Sequence, residues 1–274
     1  MAKKKCIAYE KLIEDGWFTS KEEIVPWIMA RRVLADNKPV LTPSEKISVD
    51  AEIRIREYYK TRYVGKGGLK LEHAISAFGV NVKGKIAFDC GACTGGFTDC
   101  LRVHGASLVY AVEVGHGQLA GKLMQDPAVI NLENTNLSDE KLKHLDPKPS
   151  VVSLDVSYLS LEIALREIKE IIADEGEIIA LVKPIFEVDS SEIRQNGKIN
   201  DAELHRAVIN KVKSYSEDMG FCAVDVTYSP VRGNNGAVEY FMYLTINKGD
   251  ESVINDDKID CVIEKGLALE VFKK

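Results

Sequence analysis

Residues 89–97 read Asp-Cys-Gly-Ala-Cys-Thr-Gly-Gly-Phe, directly after the apolar run Lys85-Ile-Ala-Phe88. Three chemistries fit this stretch. Gly91, Gly95 and Gly96 could shape a loop that brings backbone close to a ligand, at the start of a helix whose free amides face it. Cys90 and Cys93 are spaced C-x-x-C and could form a redox pair at a helix N-terminus, where a thiolate is stabilised. The same thiols could be half of a zinc site, but zinc needs four ligands and the sequence holds no second C-x-x-C and no H-x-x-x-H. Cys100 and His104 lie nearby, on a helical pattern that reads as core. The favoured reading is a ligand cradle in which the cysteines are small lining side chains; no metal is expected.

The ligand follows from the spacing. A dinucleotide loop would read G-x-G-x-x-G, and a Walker A loop would end in G-K-[ST]. Here the pattern is Asp89-x-Gly91-x-x-x-Gly95-Gly96, which is neither. Glu113 ends the next apolar run and would suit ribose hydroxyls. An acid before the glycines and another one strand later suit S-adenosylmethionine, whose amine and ribose both want acceptors.

Three further stretches carry ionisable residues at the ends of apolar runs: Leu154-Asp155-Val-Ser-Tyr158, Leu181-Val-Lys183-Pro184 and Gly236-Ala-Val-Glu239-Tyr. In a parallel sheet such residues gather at the carboxyl edge. Asp155 and Lys183 should meet there, and Glu239 joins them only if its strand runs antiparallel. Each has an ordinary alternative: a helix cap for Asp155, a return to solvent for Lys183, an edge position for Glu239. Methylation of a base amine usually calls for Asp/Asn-Pro-Pro-aromatic, and the prolines are missing after Asp155. Methylation of cytosine carbon needs a cysteine nucleophile in this region, and none is there. A ribose 2′-hydroxyl needs a base, a task open to a lysine tuned by burial and by a second lysine, with carboxylates holding the pair.

The elements that must position these residues come from the alternation of strand-like and helical runs. Strands are expected at 85–90, 107–114, 128–132, 150–156, 176–183, 221–228 and 237–246, and helices at about 69–79, 96–104, 117–125, 160–173 and 201–219. This order predicts an α/β fold with a mainly parallel sheet. Only Ser229–Gly236 separates the last two strands, which should therefore pair as an antiparallel hairpin. That is the outline of a Rossmann-like class I methyltransferase with seven strands. Residues 248–274 begin acidic and become amphipathic through Ile259, Val262, Ile263 and Leu267, a tail that could pack as a helix or fray.

The 274 residues are enough for one large domain and one small one. Apolar residues make up 45% and charged residues 28%, ordinary for a globular chain. No apolar run approaches the roughly 18–20 residues that span a bilayer, and no apolar segment follows the N-terminal lysines, so a signal peptide is not expected. The six scattered cysteines read as reduced thiols of a cytoplasmic protein. Charge is uneven. Residues 1–66 carry 14 Lys/Arg against 10 Asp/Glu, a net +4, which leaves −10 on the rest of a chain whose total is −6. A basic module on an acidic body fits contact with phosphate or, since +4 is modest, an ordinary solvated surface.

Residues 1–60 read as that module. Ser20-Lys-Glu-Glu23 fits a capping box opening a helix toward Arg31-Arg32, with Pro26 expected to kink it or shift its start. Short extended pieces follow at Arg32-Val-Leu-Ala, Pro39-Val-Leu and Ala51-Glu-Ile-Arg-Ile-Arg-Glu, with turns at Asp36-Asn-Lys and Pro43-Ser-Glu. The pattern Leu12, Gly16, Ser20-Lys21, Ile28, Val33, Asn37, Val40, Pro43, Ile47, Asp50, Ile53 resembles a small α+β S4 RNA-binding domain. It departs from that family in lacking the Arg-Leu-Asp opening, in Arg31 at a glycine position and in Ala35-Asp36-Asn37 for Val-Asn-Gly.

Residues 10 to about 246 resemble the TlyA (haemolysin A) family, FtsJ-like ribosomal RNA 2′-O-methyltransferases with an S4 domain. The resemblance rests on Tyr63-Val-Gly-Lys-Gly-Gly-Leu-Lys-Leu-Glu-His-Ala74, Thr94-Gly-Gly-Phe-Thr98, Val114-Gly-His-Gly-Gln-Leu119, Leu154-Asp-Val-Ser157, Leu181-Val-Lys-Pro184 and Ser229-Pro230 through Glu239. It implies a catalytic tetrad of Lys70, Asp155, Lys183 and Glu239. It implies S-adenosylmethionine as cofactor, held by Asp89, Gly91, Ala92, Cys93, Gly95, Gly96, Phe97, Glu113, Val114, Asn136 and Asp155. It implies ribosomal RNA or ribosomal subunits as partner, met by Lys21, Arg31, Arg32, Arg62 and Lys66, with no membrane and no stable protein partner. The connector Thr61-Arg62-Tyr63-Val64 would couple RNA binding to cofactor binding. Departures are Glu113 for the usual Asp, Cys93 for a small loop residue and Ser138 for a basic residue. The domains expected are 1–60 (S4-like), 61–68 (linker), 69–247 (methyltransferase) and 248–274 (tail). The rival readings are a non-catalytic RNA-binding or ribosome-assembly factor and a membrane-acting haemolysin.

Overall fold

The computed structural model describes residues 4–18, 20–29, 31–55, 62–157, 159–188, 199–247 and 249–269. Thr61, Tyr158, the end of the last N-terminal strand at 56–57 and the tail beyond 269 lie outside the described residues, as does the side chain of Glu23 in the expected capping box. The chain divides into two compact units, within Met1–Lys60 and Thr61–Val271.

The first unit mixes short strands and two helices. β1 (Lys5–Ile7) pairs antiparallel with β4 (Lys46–Ser48), and β2 (Val33–Ala35) lies between β3 (Lys38–Pro39) and β5 (Ile53–Ile55). Helices α1 (Ala8–Glu14) and α2 (Lys21–Met29) cover them through Leu12, Ile24 and Ile28, which pack with Val33, Val40 and Ile47. Asp36 and Asn37 both have positive φ, 49° and 64°. That is the two-residue turn whose twist suits the β2–β3 hairpin, and Asp and Asn tolerate it. α2 runs through position 26 without a break.

The second unit holds, among the described residues, a seven-stranded sheet ordered β11-β12-β10-β9-β6-β7-β8. Its strands are β6 (Ile86–Cys90), β7 (Leu108–Val112), β8 (Val129–Leu132), β9 (Val151–Leu154), β10 (Glu177–Val182), β11 (Cys222–Tyr228) and β12 (Tyr240–Thr245). β10, β9, β6, β7 and β8 pair in parallel, while β12 is antiparallel to both β10 and β11. This is the Rossmann-like class I arrangement that the alternation predicts. The final hairpin forms as expected, but its second strand inserts between β10 and β11 rather than adding at the edge.

Helices lie on both faces because the strands are apolar on both faces. Ala87, Val109, Val151, Ile179 and Phe241 point to α3 (Gly67–Phe78) and α4 (Gly96–Val103), joining Leu71, Ile75, Phe97 and Leu101. Phe88, Tyr110, Val152, Ala180 and Met242 point the other way, to α6 (Leu161–Ile171), α8 (Ala202–Asp218) and α9 (Asp256–Ala268). Two short helices, α5 (Gly121–Met124) and α7 (Pro184–Glu187), complete the set named here. α5 is much shorter than the helix expected over 117–125. Glu133 Oε1 accepts from the amides of Gln118 and Leu119 and holds that segment as a loop, and Gly117 has φ 66°.

The amphipathic tail packs as a helix. Asn255 caps α9 by accepting from Lys258 N at 2.8 Å, and Ile259, Val262 and Ile263 enter the main core. No helix among the described residues is long and apolar enough to cross a membrane. Ile263→Ala should destabilise the protein by about 2–5 kcal/mol, the range for emptying a buried aliphatic site. Urea unfolding checks this; a change below about 0.5 kcal/mol, usual for surface positions, would show that the helix does not belong to the core.

Candidate active site

From β6 the chain moves to β7 and β8 on one side and then crosses back to β9 on the other, and ligands in open α/β sheets bind at such a switch point. There Gly91 N and Ala92 N donate to Val112 O at 2.9 and 3.1 Å, and Asp155 N donates to Cys90 O at 2.9 Å. These bonds tie together the carboxyl ends of three adjacent strands. Gly91 has φ 84°, and a Cβ there would collide with the Asp155 carbonyl oxygen. Gly95 has φ 94°, and its Cβ would collide with Leu123. Only glycine suits either place.

The loop forms one wall of a cleft of about 760 Å³. Of the expected cofactor residues, Gly91, Ala92, Cys93, Gly96, Phe97, Glu113, Val114, Asn136 and Asp155 line it. Glu113 Oε2 accepts from Cys93 N at 3.0 Å and Oε1 from Gly115 N at 2.9 Å. Each oxygen keeps a further acceptor site. Gly95 stands behind the wall, where it shapes the turn.

Asp89 is also set back from the cleft. It is fully buried, with Oδ2 accepting from Thr98 Oγ1 at 2.6 Å and Oδ1 from Ser153 Oγ at 2.9 Å. It ties β6 to β9 and to the first turn of α4, and both oxygens are engaged inside the protein. Its place on the strand makes it look like a ligand residue. Strand alternation turns it toward Thr98 and Ser153 instead.

Burial pushes the thiols of Cys90 and Cys93 up, the reverse of the lowered value that a redox pair needs. Cys93 Sγ lies 3.3 Å from Gln118 Oε1. These thiols behave as small lining groups.

Four ionisable residues also line this cleft, as two lysine–carboxylate pairs. Lys183 Nζ lies 2.5 Å from Asp155 Oδ1 and 2.9 Å from both Val156 O and Ser157 Oγ. Lys70, on the buried side of α3, lies 2.5 Å from Glu239 Oε2, and both side chains are nearly excluded from solvent. Strand register explains the meeting. Val182 pairs with Tyr240, so Lys183 and Glu239 sit at the same end of neighbouring antiparallel strands. Ala180 pairs with Leu154, which places Asp155 one strand further over. Gly233 leaves room for the Glu239 carboxylate; a Cβ there would run into Oε1. Ser157 and Gly233 were not singled out from sequence. Ser157 stands two residues past Asp155 in the same motif, while Gly233 lies in the hairpin loop with no spacing signal.

Of the expected RNA contacts, Lys66 lines the cleft and Arg62 pairs with Glu72 at 2.5 Å. Lys21, Arg31 and Arg32 belong to the other unit, where Lys21 sits over the Tyr9 ring at 4.8 Å and Arg32 over the Trp27 ring at 5.7 Å. In the connector, Val64 N donates to Asp99 Oδ2 at 2.8 Å, anchoring it to α4.

A parallel sheet with its last strands antiparallel, a glycine loop at the switch point and a lysine–carboxylate cluster beside it define a methyltransferase, and residues 63–246 match the FtsJ-like methyltransferase family. The chain belongs to that family and, within it, to the TlyA/hemolysin A group. It is 37% identical to Hemolysin A of Brachyspira hyodysenteriae, over 86% of this chain and 98% of that one. It is 32% identical to the 16S/23S rRNA (cytidine-2′-O)-methyltransferase TlyA of Mycobacterium tuberculosis, over 85% of this chain and 87% of that one. Among solved structures it is similar to a candidate hemolysin from Streptococcus thermophilus, with TM-score 0.73, 34% identity and coverage of 97% and 96% of the two chains.

Asp89 offers a test of its structural place. Burial pushes its carboxyl up to about 6 from the ordinary 3.8, with the Thr98 and Ser153 hydroxyls pulling back. Between those values the folded chain keeps a proton that the unfolded chain has released. Stability should therefore fall as pH rises from about 4 to about 6 and level off above. Asp89→Asn removes this titration. Its stability relative to the parent should rise across that window by up to about 3 kcal/mol, read by urea unfolding at a series of pH values. Parallel stability curves would contradict the assignment.

Proposed function

We propose that the protein transfers the methyl group of S-adenosylmethionine to a ribose 2′-hydroxyl of ribosomal RNA. The observation that carries this reading is the pair of lysine–carboxylate contacts, Lys70–Glu239 and Lys183–Asp155, lining the same cleft as the glycine loop. The relatives named as ribosomal RNA 2′-O-methyltransferases support it.

The cleft fits the cofactor. Gly91 keeps the loop floor open where a Cβ would block it, and Glu113 offers acceptors for ribose hydroxyls. Bound there, S-adenosylmethionine supplies an electrophilic sulfonium methyl. The protein's own task is then to orient one hydroxyl and remove its proton. Lys183 Nζ takes the 2′-hydroxyl proton or orients that hydroxyl, and Asp155 Oδ1, Val156 O and Ser157 Oγ hold the lysine in place. Lys70 and Glu239 balance charge beside it, so that no buried charge stands alone. Positioning supplies much of the remaining acceleration.

The N-terminal unit serves in this reading as an S4-like RNA-binding domain at residues 1–60, joined by a linker at 61–68 to a methyltransferase domain at 69–247, with the tail at 248–274. Lys21, Arg31 and Arg32 are its phosphate contacts, and Arg62 and Lys66 are further contacts with the RNA. Lys183→Ala should lower methyl transfer to ribosomal RNA by about 10²-fold or more, the scale of a lost general base. Binding of S-adenosylmethionine, followed by calorimetry, should stay within about threefold, since Lys183 is assigned to the acceptor and not to the cofactor. Turnover equal to the parent would sink the assignment.

A further inference from the structure

Asp155 and Lys183 stand at the ends of β9 and β10, and each is followed by a loop. From the end of β9 the chain leads by way of Asp155, Val156 and Ser157 toward α6; from the end of β10 it runs through Lys183 into α7. Lys183 takes three contacts from the first loop, at Asp155, Val156 and Ser157. Its position is therefore set by where residues 155–157 lie. Hydrogen bonds at the strand end fix one side of that loop. The far side opens α6 at Leu161, whose preceding residue, Ser160, is a good N-cap type yet makes no side-chain cap.

Glu187 supplies the missing partner. It is buried, four residues past Lys183, and its Oε1 accepts from Leu161 N at 2.8 Å. Its Oε2 lies 3.3 Å from the Tyr215 hydroxyl on α8, and Lys211 Nζ donates to its carbonyl at 2.9 Å. A carboxylate on the first amide of a helix also meets the positive end of the helix dipole. The contacts close a ring: Lys183 to Asp155, along the loop to Leu161, across to Glu187, and back along α7 to Lys183. A serine cap on α6 would hold the helix equally well without closing the ring.

We propose that Glu187 is a positioning residue for methyl transfer, a cap supplied from α7 to α6 that keeps the Asp155 loop in register with Lys183. The inference rests on the reading of Lys183 and Asp155 as the reacting pair. It separates two roles that one side chain combines, stabilising α6 and tying two loops together.

The test uses Glu187→Ala, Glu187→Gln and the double variant Ser160→Asp/Glu187→Ala in the full chain, with Lys183→Ala alongside. Turnover on ribosomal RNA, cofactor affinity and thermal unfolding are measured for each. Glu187→Ala should lower kcat by roughly 10–100-fold, the scale of a displacement of about 1 Å at a reacting group, with cofactor affinity and KM for RNA within about twofold. Glu187→Gln keeps a carbonyl that accepts from Leu161 N and should recover most of kcat. In the double variant the carboxylate introduced by Ser160→Asp caps α6 from within its own chain segment, so thermal stability should return while kcat stays low. Recovery of kcat in the double variant would overturn the proposal, because capping alone would then suffice. A Glu187→Ala enzyme with unchanged kcat would overturn it too. If Glu187→Ala does not fold, the double variant carries the same comparison. Lys183→Ala with full turnover would instead overturn the reading of the site, and this inference with it.

Discussion

Burying a charged lysine is costly unless a carboxylate offsets the lost hydration, and the Lys70–Glu239 pair depends on where one strand is placed. Lys70 comes from α3, near the start of its unit, and Glu239 from the residue before β12, near the end. They meet because β12 enters between β10 and β11 and runs antiparallel. A parallel β12 would put Glu239 at the opposite edge of the sheet. A β12 added outside β11 would put it two strands away from Lys183. The insertion therefore fixes both the second ion pair and its distance from the first, and the glycine loop, the Asp155 loop and the α7 turn are arranged around that edge.

The two carboxylates at the end of β6 and β9 show how strand alternation divides labour. Asp89 and Asp155 both terminate apolar runs and both lie near the glycine loop. Asp155 follows the last residue of β9 and faces the cleft. Asp89 is still inside β6, one residue before its end, and faces Thr98 and Ser153. One acid is left to hold Lys183 at the cleft. The other fastens the helix that begins at the loop. Glu113, the residue after β7, does both kinds of work, since its oxygens brace the amides of Cys93 and Gly115 while facing the cleft.

Much of this was legible in the sequence. The strands over 85–90, 176–183 and 221–228 are bounded apolar runs between polar turns, and they fall within a residue or so of the observed β6, β10 and β11. The tetrad residues stood at the ends of such runs or in a motif resembling a known family, and the structure brings the four side chains to one cleft. What stayed hidden was non-local. Nothing in the spacing of Ser229–Gly236 says on which side of β11 the hairpin folds back. The shortness of α5 reflects Glu133 reaching across to the amides of Gln118 and Leu119, a contact between segments. In the first unit, β1, α1 and β4 are three to seven residues long, too short for periodicity to rise above composition. The α9 helix was visible as an amphipathic pattern but not as a packed one, because its partners lie on α8 and β11.

The position of β12 also bears on the order in which the chain is made. β11 is synthesised before β12, yet β12 lies between β11 and β10. During synthesis the edge of β10 must stay unpaired, or be held only loosely, until some 60 residues further on β12 emerges and slots in. Asp155, Lys183 and the glycine loop can assemble earlier, from strands already in register. Glu239 arrives last, so Lys70 waits for its counter-charge until the sheet is complete. A chain that ends before β12 holds the glycine loop, Asp155 and Lys183 but lacks Glu239, the carboxylate that pairs with Lys70.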